Sequence, residues 1–397
     1  MKIELTLLGC VVMGWLTACG PTEPGKYPGD PAQARDGGKT DSGDVALTEL
    51  GALACRQALV TQTAQTAAKR CFWGQIRFGV FEEIRDCTQI FGEDTKRGYC
   101  KRRTTLPAPL LQVQVDGKPR TTNANGIFTW LGADQAPLTL SPQGEQVEIR
   151  DDQGHALSKS VVATSGGVIV WDEGSDPLAD AHLNAYLYAQ RARDWVERFV
   201  PGFGSKMPKN QIVVNDRGEN CGASVDRFTA GADYCGNAAL EPDVVYHETG
   251  HAIQDALSEG SSDGALSEGF ADAVAVTLTE DPAFERSYWE ITQGAPIRNV
   301  STPDFIWEVT PCEDEHEKGL AFSGAFWDLR EALIAKLGRE QGVEHAERLL
   351  IRAVSREGDT TRMLQAFLAA DDTDADLTNG TPNAAEIREA FRLHGLE

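Results

Sequence analysis

Residues 247–251 read His-Glu-Thr-Gly-His, and this short stretch predicts more about the fold and chemistry of the chain than any other. An α-helix has about 3.6 residues per turn, so His247 and His251 share one face of a helix that we predict to begin near residue 241. Both imidazoles can therefore reach one metal ion. Glu248 projects one step round the helix, where it can contact a metal-bound water without being a ligand. The pattern predicts a metal-binding helix that also carries a general base.

A second predicted helix, from about residue 265 to residue 278, follows a polar turn that contains glycine. Glu268 and Asp272 are four positions apart on it and therefore share a face. Glu268 is a candidate third ligand, which completes the two-histidine, one-glutamate set that holds one catalytic zinc ion with an open position. Asp272 can accept the second N–H of a ligand histidine and so fix the tautomer of that ring.

These two helices resemble the signature of the thermolysin-like metallopeptidases, the gluzincins, which carry His-Glu-x-x-His on one helix and Glu-x-x-x-Asp on the next. Residues 267–272, Ser-Glu-Gly-Phe-Ala-Asp, are closest to the fungalysin-type branch. The resemblance covers residues 176–397 and implies a zinc-dependent endopeptidase that acts on peptides or proteins. It also implies a role for each of four residues: zinc ligation by His247, His251 and Glu268, and general-base catalysis by Glu248.

Three further positions resemble functional positions of the same family. His316 resembles the histidine that hydrogen-bonds to the tetrahedral oxyanion; a solvated histidine in an acidic loop is the alternative. Arg298 resembles the arginine that grips a substrate carbonyl; a surface ion pair is the alternative. Ala223 keeps the middle of an Asn-Ala-aromatic step that binds peptide backbone, but Gly222 stands where the asparagine is expected. This departure leaves the metal chemistry untouched and the substrate preference open.

The composition of the chain argues against nucleic acid and anionic lipid as partners. The 397 residues include 60 acidic and 37 basic side chains, which give a formal net charge of −23. Nucleic-acid binding needs a basic face, and docking to anionic lipid also needs basic residues, so the charge disfavours both. We expect a soluble, acidic surface and a monomer.

The N-terminus has the pattern of a targeting segment. Lys2 precedes an apolar run at residues 5–16, which is too short to span a bilayer. Residues 16–20, Leu-Thr-Ala-Cys-Gly, resemble a bacterial lipoprotein processing box. The resemblance implies a signal peptide at residues 1–18, a lipid on Cys19, and a protein anchored by that lipid alone at the cell envelope, outside the cytoplasm. An ordinary secretory cleavage site with an incidental cysteine is the alternative.

The remaining sequence predicts an α+β protein in four parts. Residues 19–46 are rich in Pro, Gly, Asp and Lys and predict a disordered tether. Residues 47–103 predict a small Cys-rich helical unit, and residues 104–172, with short alternating segments between Gly turns, predict a β-sandwich-like module. Residues 173–397 predict the mainly helical, thermolysin-like peptidase domain, whose first helix has Asp176 as N-cap and Pro177 at its first position.

The cysteines of an exported chain can form disulfides. Four of them (Cys55, Cys71, Cys87 and Cys100) lie in the predicted helical unit, and three pairings among them are possible. Cys221 and Cys235 would close a short loop before the metal-binding helix. Cys312 is then left over, either free or competing for one of those partners.

Three alternatives stay open at this point. Asp372, Asp374 and Asp376 alternate as in calcium loops, but Leu377 and Asn383 stand where a glycine and a bidentate glutamate are required, so we favour a solvated acidic turn over a Ca²⁺ site. The chain could also be a non-catalytic envelope lipoprotein with a residual zinc site. A zinc hydrolase of cell-wall peptides is the third possibility.

Overall fold

The computed structural model describes most of the chain, in the ranges 42–60, 70–83, 101–218, 221–232, 235–258, 262–284, 296–301, 306–307 and 314–397. The predicted signal peptide, Cys19 and nearly all of the predicted tether lie outside these ranges, as do Cys87, Cys100 and Cys312. Within the described ranges, no helix has both the length and the apolar character needed to cross a membrane.

The prediction of a helical unit at residues 47–103 is wrong, because the structure has two strands there in addition to a helix. A helix, α1 (Ser42–Val60), is present, but it is followed by two long antiparallel strands, β1 (Cys71–Glu83) and β2 (Lys101–Pro107). In β1 the fully buried residues Ile76, Phe78 and Val80 alternate along the strand. This period of two, rather than the helical spacing, decides the local structure because it puts one face of the strand into the core. A disulfide between Cys55 and Cys71 joins α1 to β1.

Residues 108–229 supply most of the remaining strands. They are β3 (Leu111–Val115), β4 (Lys118–Thr121), β5 (Ile127–Leu131), β6 (Gln135–Gly144), β7 (Val147–Asp151), β8 (Lys159–Thr164), β9 (Val168–Trp171), β10 (Asn210–Asp216), β11 (Ala223–Ser224) and β12 (Arg227–Thr229). One sheet has the order β2-β1-β5, with β9 parallel to β1. The other has the order β11-β12-β10-β7-β6-β3-β4, with β8 on β6.

The larger sheet continues across the module boundary that we predicted at residue 172. Strand β7 lies before that boundary and pairs in parallel with β10, which lies after it, from Asn210↔Val147 to Val214↔Asp151. The β structure predicted for residues 104–172 is therefore divided between two sheets, and one of them includes strands of the C-terminal region.

Helix α2 (Pro177–Glu197) contacts strands of both sheets. Asp176 caps it by accepting hydrogen bonds from the backbone N–H groups of Leu178 and Ala179, and Pro177 occupies the first turn, which confirms the predicted start. Tyr186 on the buried face donates a hydrogen bond to the carbonyl of Pro109, 3.0 Å away. One hydrophobic cluster runs from Ile76 to Leu396 and includes both sheets and the C-terminal helices.

The C-terminal region is mainly helical, as predicted. Its elements are α3 (Phe203–Lys206), α4 (Pro242–Ser258), α5 (Gly264–Thr279), the short strands β13 (Ala283–Phe284) and β14 (Arg298–Asn299), α6 (Glu315–Leu337), α7 (Arg339–Val354), α8 (Met363–Asp371) and α9 (Ala384–Leu393). Helices α4, α5 and α6 pack against each other in that order, with α5 in the middle. This stack positions the candidate site.

The acidic turn after α8 is hydrogen-bonded within itself. Asp374 accepts the backbone N–H of Asp376, which in turn accepts the backbone N–H of Thr378. Asp371, whose side chain is fully buried, accepts hydrogen bonds from Thr381 and Asn383. These bonds are those of the favoured acidic turn.

Candidate metal centre

Helices α4 and α5 bring His247, His251 and Glu268 together. One ligand atom from each lies within 4.8 Å of the others. The Nε2 atoms of the two histidines are 3.2 Å apart, and the Glu268 carboxylate lies 3.2 Å from Nε2 of His247 and 3.6 Å from Nε2 of His251. Helical spacing predicted the pairing of His247 with His251, and the packing of α5 on α4 brings Glu268 to them.

The two helices can approach this closely because a glycine lies at their contact. A Cβ atom on Gly250 would lie 2.9 Å from the Cα of Ala271. On the other side of α5, a Cβ on Gly319 of α6 would lie 2.7 Å from the backbone nitrogen of Gly269 and 2.9 Å from the Cβ of Glu268. Contacts this short leave no room for a side chain. The position of Glu268 is therefore set by backbone packing on α6.

Asp272 lies behind His247, as the sequence predicted. Its Oδ1 is 2.9 Å from Nδ1 of His247, and its side chain is fully buried. Arg298 approaches the same oxygen, with Nη2 at 3.1 Å. Phe284 packs against both of these side chains: its ring centroid is 5.2 Å from that of His247 and 4.5 Å from Cζ of Arg298. Asp272 thus has the geometry to orient the ring of His247.

The Nδ1 atom of His251 has a different hydrogen-bond partner, which was not predicted from the sequence. This atom lies 2.9 Å from the hydroxyl oxygen of Ser267, the residue just before Glu268. With Nδ1 engaged by Ser267 and Nδ1 of His247 facing Asp272, both Nε2 atoms are left to face the space between the helices. The signal that could have identified Ser267 is its place on α5, immediately before the ligand Glu268.

The charges of the cluster favour a cation. Burial acts to lower the pKa of His247, but Asp272 and Glu268 outweigh it and raise that pKa to about 10. Burial, with the nearby His247, lowers the pKa of His251 to about 4. Burial acts to raise the pKa of Glu268, but His247 and the other histidines lower it to about 2. The positive charge therefore lies on His247 and is balanced by the ionised Glu268.

These residues fit a zinc ion. Among the residues that the structure describes, the buried Oε2 of Glu268 accepts no hydrogen bond of good geometry, although an imidazole nitrogen lies 3.2 Å away. Two Nε2 atoms and one carboxylate are a donor set that suits zinc and leaves one position open. A divalent cation between them would satisfy all three groups at once.

Glu248 is half-buried and follows His247 on α4. Its charge acts to raise the pKa of His247. The group of side chains whose ligand atoms converge on one point consists of His247, His251 and Glu268, without Glu248. Glu248 thus has the place that the sequence predicted for a general base, beside the metal ligands rather than among them.

His316 also reaches the site, from the first turn of α6. Its Nε2 lies 3.3 Å from Oε2 of Glu268, and its Nδ1 lies 3.0 Å from Oδ1 of Asp314. Asp314 is the N-cap of α6 and also accepts the backbone N–H of His316. The ring is about one third exposed. Sequence analysis treated Asp314 only as part of an acidic loop, and its capping position before a helix is the signal that was missed.

The two predicted substrate-binding residues lie in different elements. Arg298 is buried beside Asp272, and its strand β14 pairs with β13 through Phe284. Ala223 lies in β11, the last strand of the larger sheet, and this strand contacts α4. Contact with substrate stays a prediction for both residues.

Comparison with known proteins gives weak likenesses among solved structures. No protein-family model matches the chain, and no curated protein matches it. Among solved structures, the precursor of protealysin, a metalloproteinase from Serratia proteamaculans, matches with 15% sequence identity and a TM-score of 0.45. The match covers 63% of this chain and 87% of that one. A likeness at this level carries no argument about function, which rests on the cluster itself.

Proposed function

We propose that this protein is a zinc-dependent endopeptidase of the thermolysin-like type, near its fungalysin-type branch. The observation that supports the proposal most directly is the convergence of His247, His251 and Glu268 within 4.8 Å, with Glu248 beside them on the same helix. A purely structural zinc site is closed by four protein ligands and has no use for a neighbouring general base. Zinc-dependent hydrolysis instead requires three protein ligands and a nearby general base.

In this proposal the ligands are His247, His251 and Glu268, with Asp272 and Ser267 orienting the two rings. When bound, zinc supplies a Lewis acid that polarises a carbonyl oxygen and acidifies a water molecule. Glu248 takes a proton from that water as its oxygen attacks the carbonyl carbon. Glu248 then delivers the proton to the amine nitrogen as the C–N bond breaks.

His316 would stabilise the negative charge that develops on the carbonyl oxygen. Its Nδ1 lies 3.0 Å from the Asp314 carboxylate, which leaves Nε2 to face the site. A donor of this kind contributes roughly 2–4 kcal/mol of transition-state stabilisation. Arg298 would act with it by gripping a substrate carbonyl, although it is held against Asp272 at the rear of the site.

We also propose that the protein works at the bacterial cell envelope, exported and held by a lipid on Cys19. Two observations support export: the Leu-Thr-Ala-Cys-Gly box at residues 16–20, and the Cys55–Cys71 and Cys221–Cys235 disulfides, which are typical of oxidising compartments.

The lipid proposal predicts a change in location for one substitution. Cys19→Ala removes the acyl attachment site, so we expect the protein to move from the membrane fraction to the soluble fraction. Fractionation of expressing cells and metabolic labelling with a radioactive fatty acid measure this. An unlabelled wild-type protein, or a variant that stays with the membrane, contradicts the anchor.

One experiment separates the candidate functions. Zinc content is measured on the purified protein, and a fluorogenic peptide library is offered with and without a chelator. Cleavage that a chelator abolishes and zinc restores supports the endopeptidase. Bound zinc without cleavage of any peptide points to a non-catalytic lipoprotein, and cleavage confined to cell-wall peptides points to a cell-wall hydrolase.

A further inference from the structure

The Cys221–Cys235 disulfide joins the last strand of the larger sheet to the segment that leads into the metal-binding helix. The bond spans 14 residues. Cys221 lies two residues before β11. Cys235 lies two residues before Asn237, which caps a 3₁₀ turn (Ala238–Leu240) that runs directly into α4.

The Cys235 end of the bond is firmly held. Cys235 is almost completely buried and belongs to the main hydrophobic cluster. Asn237 donates a hydrogen bond to Oδ1 of Asn215 in β10, 2.7 Å away, and Asn215 donates to the carbonyl of Leu178 in α2, 2.9 Å away. The segment entering α4 is therefore fixed to both the sheet and α2.

The β11 end is held by much less. β11 pairs with β12 through only two residue pairs, Ala223↔Phe228 and Ser224↔Arg227. Thr229 adds hydrogen bonds from its backbone N–H and its hydroxyl to the carbonyl of Gly222. A hairpin of two residue pairs is marginal without further support. The disulfide is the one covalent support that the described residues give to this strand.

This strand is a place where a peptide can bind. β11 ends the larger sheet, and among the residues that the structure describes no strand pairs with its outer edge. It also contacts α4, the helix of His247, Glu248 and His251. An extended peptide can add to an exposed sheet edge through main-chain hydrogen bonds. Such a peptide would lie next to α4.

We propose that the Cys221–Cys235 disulfide is a positioning device for substrate: it holds the β11 edge beside α4 so that a peptide can pair with it. The inference rests on the proposed peptidase function. It assigns the disulfide to substrate affinity and not to metal binding, because none of the three ligands lies within the bridged segment.

The test compares removal of the two disulfides. In the double variant Cys221→Ala, Cys235→Ala, we expect KM for a peptide selected from the fluorogenic library to rise roughly tenfold, the equivalent of about 1.4 kcal/mol of binding. We expect kcat and zinc affinity to stay within about twofold. Cys55→Ala, Cys71→Ala removes a disulfide that spans 16 residues and is the matched control, with KM unchanged. If the double variant does not fold, Cys221→Ala alone cuts the same link and leaves Cys235 buried.

Hydrogen exchange makes the test independent of catalysis. We expect the backbone amides of residues 223–229 to exchange at least about tenfold faster in the variant, while those of α4 stay protected. An unchanged KM and unchanged exchange overturn the proposal, as does an equal effect of the control pair or a parallel loss of zinc. If the wild type cleaves no peptide but exchange is still faster in the variant, the proposed function is overturned. The role of the disulfide in holding β11 then still stands.

Discussion

Glu248 carries the proton in the proposed reaction, and a glutamine at this position keeps its shape and removes its basicity. We expect Glu248→Gln to bind zinc as the wild type does, because Glu248 is not among the three ligands. Peptide cleavage should fall by roughly 10²–10⁴-fold, the usual contribution of a general base. Zinc content and cleavage are measured on the same preparation, with His251→Ala as the control that loses both. Normal cleavage by the glutamine variant contradicts the mechanism.

The Ser267 hydroxyl orients His251, and its removal should weaken zinc binding without changing the ligands. In Ser267→Ala the Nδ1 atom of His251 loses a partner at 2.9 Å. Loss of such a partner typically lowers metal affinity 10–100-fold, and we expect about tenfold. Competition with a chromophoric chelator measures the affinity, and Ser267→Thr, which keeps a hydroxyl, should restore most of it. Equal affinities for the alanine and threonine variants would show that the hydroxyl does not orient the ring.

At this scale the sequence predicted what helical spacing can predict. His247 and His251, and likewise Glu268 and Asp272, are related by a step of four residues within a helix, so their shared faces follow from its geometry. The convergence of His316 with Glu268 depends on the packing of α6, which lies far along the chain, and only the family resemblance indicated it. Ser267 was missed because a serine on a helix has many ordinary roles.

At the scale of the elements, the contact between α5 and α6 sets the position of Glu268. A single added methyl group should disturb this contact. In Gly319→Ala the new Cβ would lie 2.7 Å from the backbone nitrogen of Gly269 and 2.9 Å from Cβ of Glu268. We expect α6 to shift away, with a loss of about 1–3 kcal/mol in the free energy of unfolding and weaker zinc binding.

Gly264→Ala is the matched control for this substitution. It also adds a methyl group at a helix contact, but the three atoms nearest to its Cβ are those of the Glu315 carboxylate, the end of a flexible side chain that can move aside. Thermal unfolding and chelator competition are measured on both variants. Equal behaviour of the two would contradict the assignment of Glu268 placement to the Gly319 contact.

Element prediction succeeded where one periodicity was strong and failed where two competed. The start of α2 carried several independent signals, an N-cap, a proline and a regular apolar spacing, and it was predicted correctly. In residues 71–83 the apolar residues are so dense that a helical spacing and an alternating one both fit. The pairing of β1 with β2, β5 and β9 decides between them, and that pairing is tertiary information.

For the whole molecule, His182 makes stability depend on pH. It lies in α2, is 5% exposed, and burial lowers its pKa to about 4. The unfolded chain, with an ordinary pKa near 6.5, therefore binds a proton more readily than the native state between these values. The contribution of His182 to the free energy of unfolding is fully present above pH 6.5. It falls as the pH drops towards 4, by about 2 kcal/mol at pH 5.

His182→Gln should remove this part of the pH dependence. Urea unfolding at pH 7.5 and pH 5, both with chelator so that metal release does not contribute, measures the change for each protein. We expect the variant to lose about 2 kcal/mol less than the wild type between the two values. Identical losses would mean that His182 titrates normally in the folded protein.

The pairing of β7 with β10 also determines what a break in the chain would do. A protease that cut near residue 172 would sever one peptide bond and leave the backbone ladder from Asn210↔Val147 to Val214↔Asp151 intact. Helix α2 would still pack on strands from both sides of the cut. The two pieces would stay together as a nicked complex and separate only in denaturant. A cut at this point would not by itself release the N-terminal half. The same place is suited to fragment complementation, in which two separately made halves assemble into one molecule.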